Sequence, residues 1–154
     1  AVVKFQRKVD DLARAVGGAE EMHKELSTKI KAIKSAIAAT ADADMGMLGE
    51  TRKLEKRLVE VEMKLLGDQS LSRRFFETAP SIADRVGRVL YGLNRSTSEP
   101  TQTFKDAYEV AAEEFKPVYT EIEAIAKAVA EMEDKLDGLG APYTPGRLPG
   151  WEKD

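Results

Sequence analysis

The feature that most constrains the fold is a long apolar stripe between Thr101 and Leu136. Apolar side chains recur there at alternating spacings of four and three residues, which places them on one face of a helix. At 1.5 Å per residue this helix is about 50 Å long. Because a helix in a protein gains most of its stability from packing of its apolar face, we expect other helices to cover it. The stripe comprises Phe104, Tyr108, Ala111, Phe115, Val118, Ile122, Ile125, Val129, Met132 and Leu136.

The same spacing at the start of the chain predicts a second long helix, over residues 2–40. Gly17 and Gly18 fall off its stripe, and each destabilises a helix by about 1 kcal/mol relative to alanine. They mark a kink or a close backbone approach, or they are a tolerated surface weakness, which is the interpretation that we favour. The stripe comprises Phe5, Val9, Leu12, Val16, Ala19, His23, Leu26, Ile30, Ile33 and Ile37.

A shorter helix is predicted over residues 45–66. Asp44 is placed to accept hydrogen bonds from its first free amides, and Gly67 to end it in a left-handed conformation. Its apolar face comprises Met47, Thr51, Leu54, Leu58, Val61 and Leu65.

Another short helix is predicted over residues 81–95, after Pro80. Ser81 and Asp84 have the spacing of a capping box at its start. Its apolar face comprises Ile82, Val86, Val89, Leu90 and Leu93.

The final helix is predicted over residues 101–137, after the break "NRSTSEP". Ser98 and Pro100 are expected in its first turn. Pro117 lies inside it, and because proline has no amide hydrogen, it should free the carbonyl of Glu113 and bend the helix.

The segment between the two short helices, residues 67–80, shows no clear period. Phe75 and Phe76 favour a loop that is packed by its own side chains. Arg73 and Arg74 could pair with an acidic partner, although adjacent arginines are more often solvated.

The C-terminal tail, residues 138–154, holds three of the six prolines together with several glycines, so it cannot be helical. Tyr143, Leu148 and Trp151 give it apolar side chains to bury. We therefore expect the tail to dock on the helices through these three residues.

These elements predict an all-α fold: an elongated antiparallel helical bundle of two long and two shorter helices. One possible packing is a three-rod bundle in which the two short helices form one rod that is broken at residues 67–80. The other is an up-down-up-down four-helix bundle with overhanging ends. The length of 154 residues predicts a single domain, 1–154, with the tail docked on it.

Composition narrows the possible functions. The net charge is −3, and the two signs are interleaved, so no nucleic-acid footprint stands out. The most basic spot is interrupted by Glu55 and lacks the aromatic residues of a single-strand binder. We expect no nucleic-acid or membrane partner, since no apolar run has the length of a membrane span. Without cysteine there is no thiolate chemistry. The basic spot comprises Arg52, Lys53, Lys56 and Arg57.

The candidate metal motif is Glu20 and His23, which lie three residues apart, as in carboxylate-bridged di-iron bundles. Such sites use the motif twice with further inward carboxylates, whereas this chain has one histidine. The stripe of the final helix offers no acidic residue to meet it, so a structural histidine is the favoured interpretation. No serine is placed to form a triad with His23. We predict no catalytic residue, no metal site and no cofactor.

Three stretches carry a resemblance to a known family: "GDQSLSRR", the run "PSIADRVGRVLYGLNRSTSEPTQTFKDAYEVAAEEF" and the tail "GAPYTPGRLPGW". They resemble the C-terminal helical region of bacterial proteins built from sortilin-like, Asp-box repeat β-propellers, which are commonly labelled glycosyl hydrolases. The junction "RSTSEPTQT" and the tail "PGRLPGW" are the most specific parts. Phe75 and Phe76 depart from the polar residues of that pattern.

This resemblance implies that the chain is the C-terminal part of a larger, exported protein, with a periplasmic or extracellular location. The propeller and any catalytic residues would lie upstream, outside this chain. The function it implies is that of a non-catalytic accessory or interaction domain whose partner is the propeller. The contact residues would come from Arg73, Arg74, Phe75, Phe76, Tyr143 and Trp151. A self-contained, coiled-coil-type oligomerisation module is the alternative, with an enzyme in its own right third.

Overall fold

The chain folds into four α-helices in a computed structural model that describes residues 2–68, 79–96 and 98–153. Helix α1 spans Val2–Ala38, α2 Met45–Leu66, α3 Ile82–Arg95 and α4 Gln102–Gly138. The described residues contain no strand. The all-α bundle of two long and two shorter helices is therefore confirmed, with every helix end within two residues of its predicted position.

The predicted ends of α2 are confirmed by their hydrogen bonds. The Asp44 carboxylate accepts a bond from the Met47 amide at 2.9 Å, which satisfies one of the free donors of the first turn. Gly67 has a φ of 79°, and its amide donates to the Met63 carbonyl at 3.0 Å. The left-handed conformation of Gly67 thus ends the helix as the sequence predicts.

The start of α3 is a complete capping box. The Ser81 hydroxyl accepts from the Asp84 amide, and the Asp84 carboxylate accepts from the Ser81 amide, both at 3.1 Å. The start of α4 differs from the prediction, because the Thr101 hydroxyl accepts from the Phe104 amide at 3.3 Å. Ser98 and Pro100 precede the helix. The Thr101 hydroxyl is the side-chain oxygen next to the first free amides, so Thr101 is the residue that caps the helix.

The contacts divide the chain into two compact units, and the first comprises the described residues of Ala1–Glu21 and Glu60–Glu121. Segments of all four helices supply its core. Within it, α3 and α4 are antiparallel: the Arg85 side chain lies 3.7 Å from that of Glu114, and Gly92 lies against the ring of Phe104. The core comprises Val9, Val16, Ala19, Val61, Leu65, Ile82, Val86, Val89, Leu93, Ala111, Phe115 and Val118.

The second unit comprises the described residues of Met22–Val59 and Ile122–Asp154, and α1, α2 and α4 supply its helices. Within it, α2 and α4 are antiparallel, because residues 44–47 share one groove with 138–139 and residues 53–57 share another with 128–132. The core comprises Leu26, Ile30, Ile33, Ala36, Ile37, Thr51, Leu54, Leu58, Ile122, Ile125, Val129, Met132 and Leu136.

The predicted stripes are the faces that the helices bury. On α4, every stripe residue from Ala111 to Leu136 is buried, and the two before them are partly buried. On α1, a Cβ added to Gly17 or Gly18 would meet no other atom within 4 Å, and both glycines are exposed. The pair therefore lies on the surface of the helix, as the favoured interpretation holds, and no described backbone comes close to it.

Candidate functional site

The unusual feature of the second unit is a buried carboxylate on α4. Glu133 is 4% exposed, and an ionised side chain is seldom so deeply buried unless it has a partner of opposite charge. Two cations approach it. The Lys29 Nζ lies 3.9 Å from its Oε1, and the Arg147 Nε lies 3.7 Å from its Oε2. Glu133 therefore joins α1 and the C-terminal tail through charge.

Arg147 is the centre of this arrangement. Its guanidinium forms an ion pair and hydrogen bond with Asp137 near the end of α4. Its Nε donates to the Thr144 hydroxyl at 2.6 Å, and Thr144 is 2% exposed. We call Lys29, Glu133, Asp137, Thr144 and Arg147 the tail anchor, because they fix residues 144–147 against the helices.

The backbone between α4 and the anchor is shaped by two glycines. Gly140 has a φ of 72° just after the helix, where the Ala141 amide donates to the Leu136 carbonyl at 3.0 Å. Gly146 has a φ of 86°, and a Cβ added to it would stand 2.7 Å from the Lys29 Cε. A residue with a side chain at 146 would therefore be strained and would also push against the Lys29 stem.

The tail anchor combines ion pairs and hydrogen bonds with buried polar atoms that lack a hydrogen-bond partner. Two cations face two carboxylates, and Lys29 also lies 3.7 Å from the more exposed Glu25. Within the described residues, the buried Glu133 Oε2 and Arg147 Nη2 have no hydrogen-bond partner. Removal of one partner would leave an opposite charge in a poorly solvated place, which makes such an anchor sensitive to single changes.

The large apolar side chains of the tail, unlike the polar side chains of the tail anchor, face solvent. Tyr143 is 63% exposed, Leu148 95% and Trp151 83%. The prediction that these three residues would bury themselves on the helices is therefore wrong. Tyr143 precedes the buried Thr144 and Leu148 follows the ion-paired Arg147, so the tail exposes its apolar side chains next to the polar ones that hold it.

The remaining predicted contact residues, Arg73, Arg74, Phe75 and Phe76, lie outside the described residues.

The candidate metal motif is not extended by the structure. Among the residues it describes there is no group of three or more His, Asp and Glu side chains that could hold a metal ion. Glu133 is an acidic residue on the buried side of the final helix, outside the stripe residues named from the sequence. Its cationic neighbours are Lys29 and Arg147, so this carboxylate serves the tail anchor.

The signal that could have revealed the anchor lies in the helical spacing. Glu133 follows Val129 by four residues and precedes Leu136 by three, so it falls within the apolar stripe of α4. Lys29 falls between Leu26 and Ile33 of α1 in the same way. A charged residue within a buried stripe on each of two helices predicts an internal ion pair. Nothing in the spacing indicates that the tail supplies the third member.

Comparison with known proteins adds no relative: no family model matches the chain, and neither does any curated protein or solved structure at a significant level. None of the helices that the structure describes has the length and apolar character needed to cross a bilayer.

Proposed function

We propose that this chain works by contact, as a non-catalytic helical accessory domain. The observation that carries the proposal is the tail, whose backbone is fixed by the buried Thr144 and by the ion-paired Arg147. The same short segment exposes Tyr143, Leu148 and Trp151. Large apolar side chains on an anchored backbone are typical of a recognition element, since aromatic residues supply much of the free energy at protein interfaces.

The anchor also lowers the entropic cost of such a contact. A free tail would lose the conformational entropy of each residue when it binds, whereas residues 144–147 are already held. The ion pairs of the tail anchor therefore support binding without touching the partner.

The partner in this proposal is the β-propeller that the sequence resemblance places upstream in the same polypeptide. The junction "RSTSEPTQT" and the tail "PGRLPGW" support it, and the second of these contains Arg147 and the exposed Leu148 and Trp151. Any hydrolytic chemistry would belong to the propeller, and the location would be periplasmic or extracellular. The helical domain would turn over no substrate.

Sedimentation of this chain, alone and mixed with the propeller encoded upstream, tests the proposal. We expect a complex of one chain with one propeller. A chain that remains a monomer in both samples, or upstream coding sequence without Asp-box repeats, would remove the propeller as partner. Self-association without propeller binding would instead support the oligomerisation module.

A second assay tests the non-catalytic part. We expect no glycosidase or esterase turnover by the purified chain. Activity that His23→Ala removes would show that the chain is an enzyme.

A further inference from the structure

We propose that Leu148, Pro149, Gly150 and Trp151 enter, as one extended segment, a concave apolar groove on a protein partner. This inference rests on the proposed function and specifies which residues make the contact and what kind of surface receives them. We call residues 148–151 the display segment.

The display segment leaves the protein at a defined point. The side chain of Arg147 is 11% exposed and paired with Glu133 and Asp137, whereas the next residue, Leu148, is 95% exposed. The side chain of Arg147 is mostly covered, whereas Leu148, one peptide bond later, is almost fully exposed. The segment therefore begins at a fixed position, and its first side chain points away from the second unit.

The backbone of the display segment favours a groove over the edge of a sheet. Residues 148–151 lie in neither a helix nor a strand. Pro149 has no amide hydrogen, so the segment cannot complete the ladder of hydrogen bonds that strand addition requires. Proline-containing extended segments bind instead in grooves lined by aromatic side chains, because their conformation is already restricted. At Gly150, an added Cβ would meet no described atom within 4 Å, so this part of the chain leaves a partner room to approach the backbone.

The available area also favours a concave partner. A stable flat interface covers about 800 Å² on each side, whereas one aromatic side chain buries about 150–250 Å². The display segment offers one tryptophan and one leucine, so contact on one side only would leave it well short of that area. A groove that surrounds the segment covers both sides of each exposed side chain and the intervening backbone.

Charge argues for an apolar groove. Of the three ionisable residues that follow the segment, Glu152 and Asp154 are acidic and Lys153 is basic. The positive charge that precedes it, on Arg147, is already paired with Glu133 and Asp137. The segment thus carries no net charge that would direct it to nucleic acid or to an anionic membrane surface.

The test uses Trp151 as its own probe, since it is the one tryptophan of the chain. The full chain is labelled with 5-fluorotryptophan, which gives a single ¹⁹F resonance, and is titrated with the unlabelled upstream propeller. In the free chain we expect a clear shift of this resonance between H₂O and D₂O, because Trp151 is exposed. In the complex we expect the resonance to move and to lose that solvent dependence.

Three variants complete the test. Trp151→Ala and Leu148→Ala should each weaken propeller binding by about tenfold or more, as expected for central apolar contacts. Met45→Ala is the matched control, because Met45 lies in the same unit and is 78% exposed but is outside the tail. It should change the affinity by less than about twofold.

The outcomes separate this inference from the proposed function. A complex that forms with an unchanged ¹⁹F resonance and with normal binding by Trp151→Ala would overturn the inference and leave the contact function standing. Absence of any complex in sedimentation would overturn both. Two other outcomes would also overturn the inference, provided that the propeller causes no ¹⁹F shift. A shift caused by neutral phosphatidylcholine vesicles would assign the segment to a membrane. A shift that depends on the concentration of the chain itself would assign the segment to a second copy.

Discussion

Two regions of the molecule hold distant parts of the chain together by different physical means. In the first unit, an apolar cluster joins α1, α3 and α4: Val9, Val89 and Leu93 are buried, with Phe5 and Phe104 among the side chains packed against them. In the second unit, the tail anchor joins α1, α4 and the tail through charges and one hydroxyl. The first region excludes water from apolar surface, whereas the second pairs charges that are themselves costly to bury.

This difference determines what each region can do. The apolar side chains of the cluster are packed against one another, so little of their surface is left for a partner. The tail anchor uses polar side chains and leaves Leu148 and Trp151 exposed. A polar anchor is therefore a way to fix a segment while its apolar side chains stay available for binding.

The largest difference in stability should be between two leucine-to-alanine variants, one in the apolar cluster and one in the tail. Leu93→Ala opens a cavity in the apolar cluster and should lower the free energy of unfolding by about 2–4 kcal/mol. Leu148→Ala removes the same atoms from a side chain that is 95% exposed. It should change the free energy of unfolding by less than about 0.5 kcal/mol. Urea unfolding followed by circular dichroism measures both. Equal losses would show that Leu148 is buried in solution and would break the comparison.

Two glycines of the first unit allow the same comparison between a packed position and an exposed one. A Cβ at Gly92 would collide with the Phe104 ring, so Gly92→Ala should destabilise by about 1–2 kcal/mol despite its better helix propensity. Gly17→Ala is the control, because a Cβ there meets nothing within 4 Å. It should stabilise by up to about 1 kcal/mol. Thermal unfolding gives both signs, and a gain in both variants would mean that Phe104 moves aside freely.

The tail anchor should respond to charge and to salt. Arg147→Met removes the cation shared by Glu133 and Asp137 and should destabilise by about 1–2 kcal/mol at low salt, since the tail can detach and limit the loss. The loss should shrink as sodium chloride screens the pairs of the parent protein. Lys116→Met is the control, because its pair with Glu113 is exposed on both sides. It should change stability by less than about 0.5 kcal/mol. A salt-independent loss for Arg147→Met would show that packing of its stem, and not its charge, holds the tail.

The fold could be predicted almost completely because periodicity and capping are local signals. The stripes located all four helices, and the bonds of Asp44, Ser81 and Gly67 were predicted from residues no more than four positions away. The cap of α4 was misassigned, since Ser98, Pro100 and Thr101 are all plausible residues there and only the backbone geometry selects Thr101.

The site could be predicted less well, because its members are far apart in sequence. Tyr143, Leu148 and Trp151 were correctly identified as the apolar residues of the tail, but a side chain's hydrophobicity does not say whether this chain or another molecule covers it. Arg147 decides that question through its contacts with Thr144, Glu133 and Asp137, and nothing in the helical spacing indicates that the tail supplies this residue.

The smallest effect concerns a phenol at the edge of the apolar cluster. Tyr108 lies edge-on to Phe5, with ring centroids 5.8 Å apart. Burial, followed by the negative charges of Glu109 and Asp11, raises the pKa of Tyr108 above its ordinary value of about 10. Since the folded state favours the neutral phenol, this contribution to stability is complete below pH 10. It is lost as the pH rises from 10 through the raised pKa.

The measurement is the alkaline loss of stability, compared with that of Tyr108→Phe. Lys4, Lys8 and Lys105 line the same groove as Tyr108, so the total alkaline loss of stability does not by itself isolate the phenol. The parent protein should lose more stability above pH 10 than Tyr108→Phe does, because only the parent must ionise a partly buried phenol. Tyr143→Phe, which changes an exposed tyrosine of the tail, should lose as much stability above pH 10 as the parent protein does. If Tyr108→Phe also follows the parent, the phenol is solvated in the folded protein, and the apolar cluster ends before Tyr108.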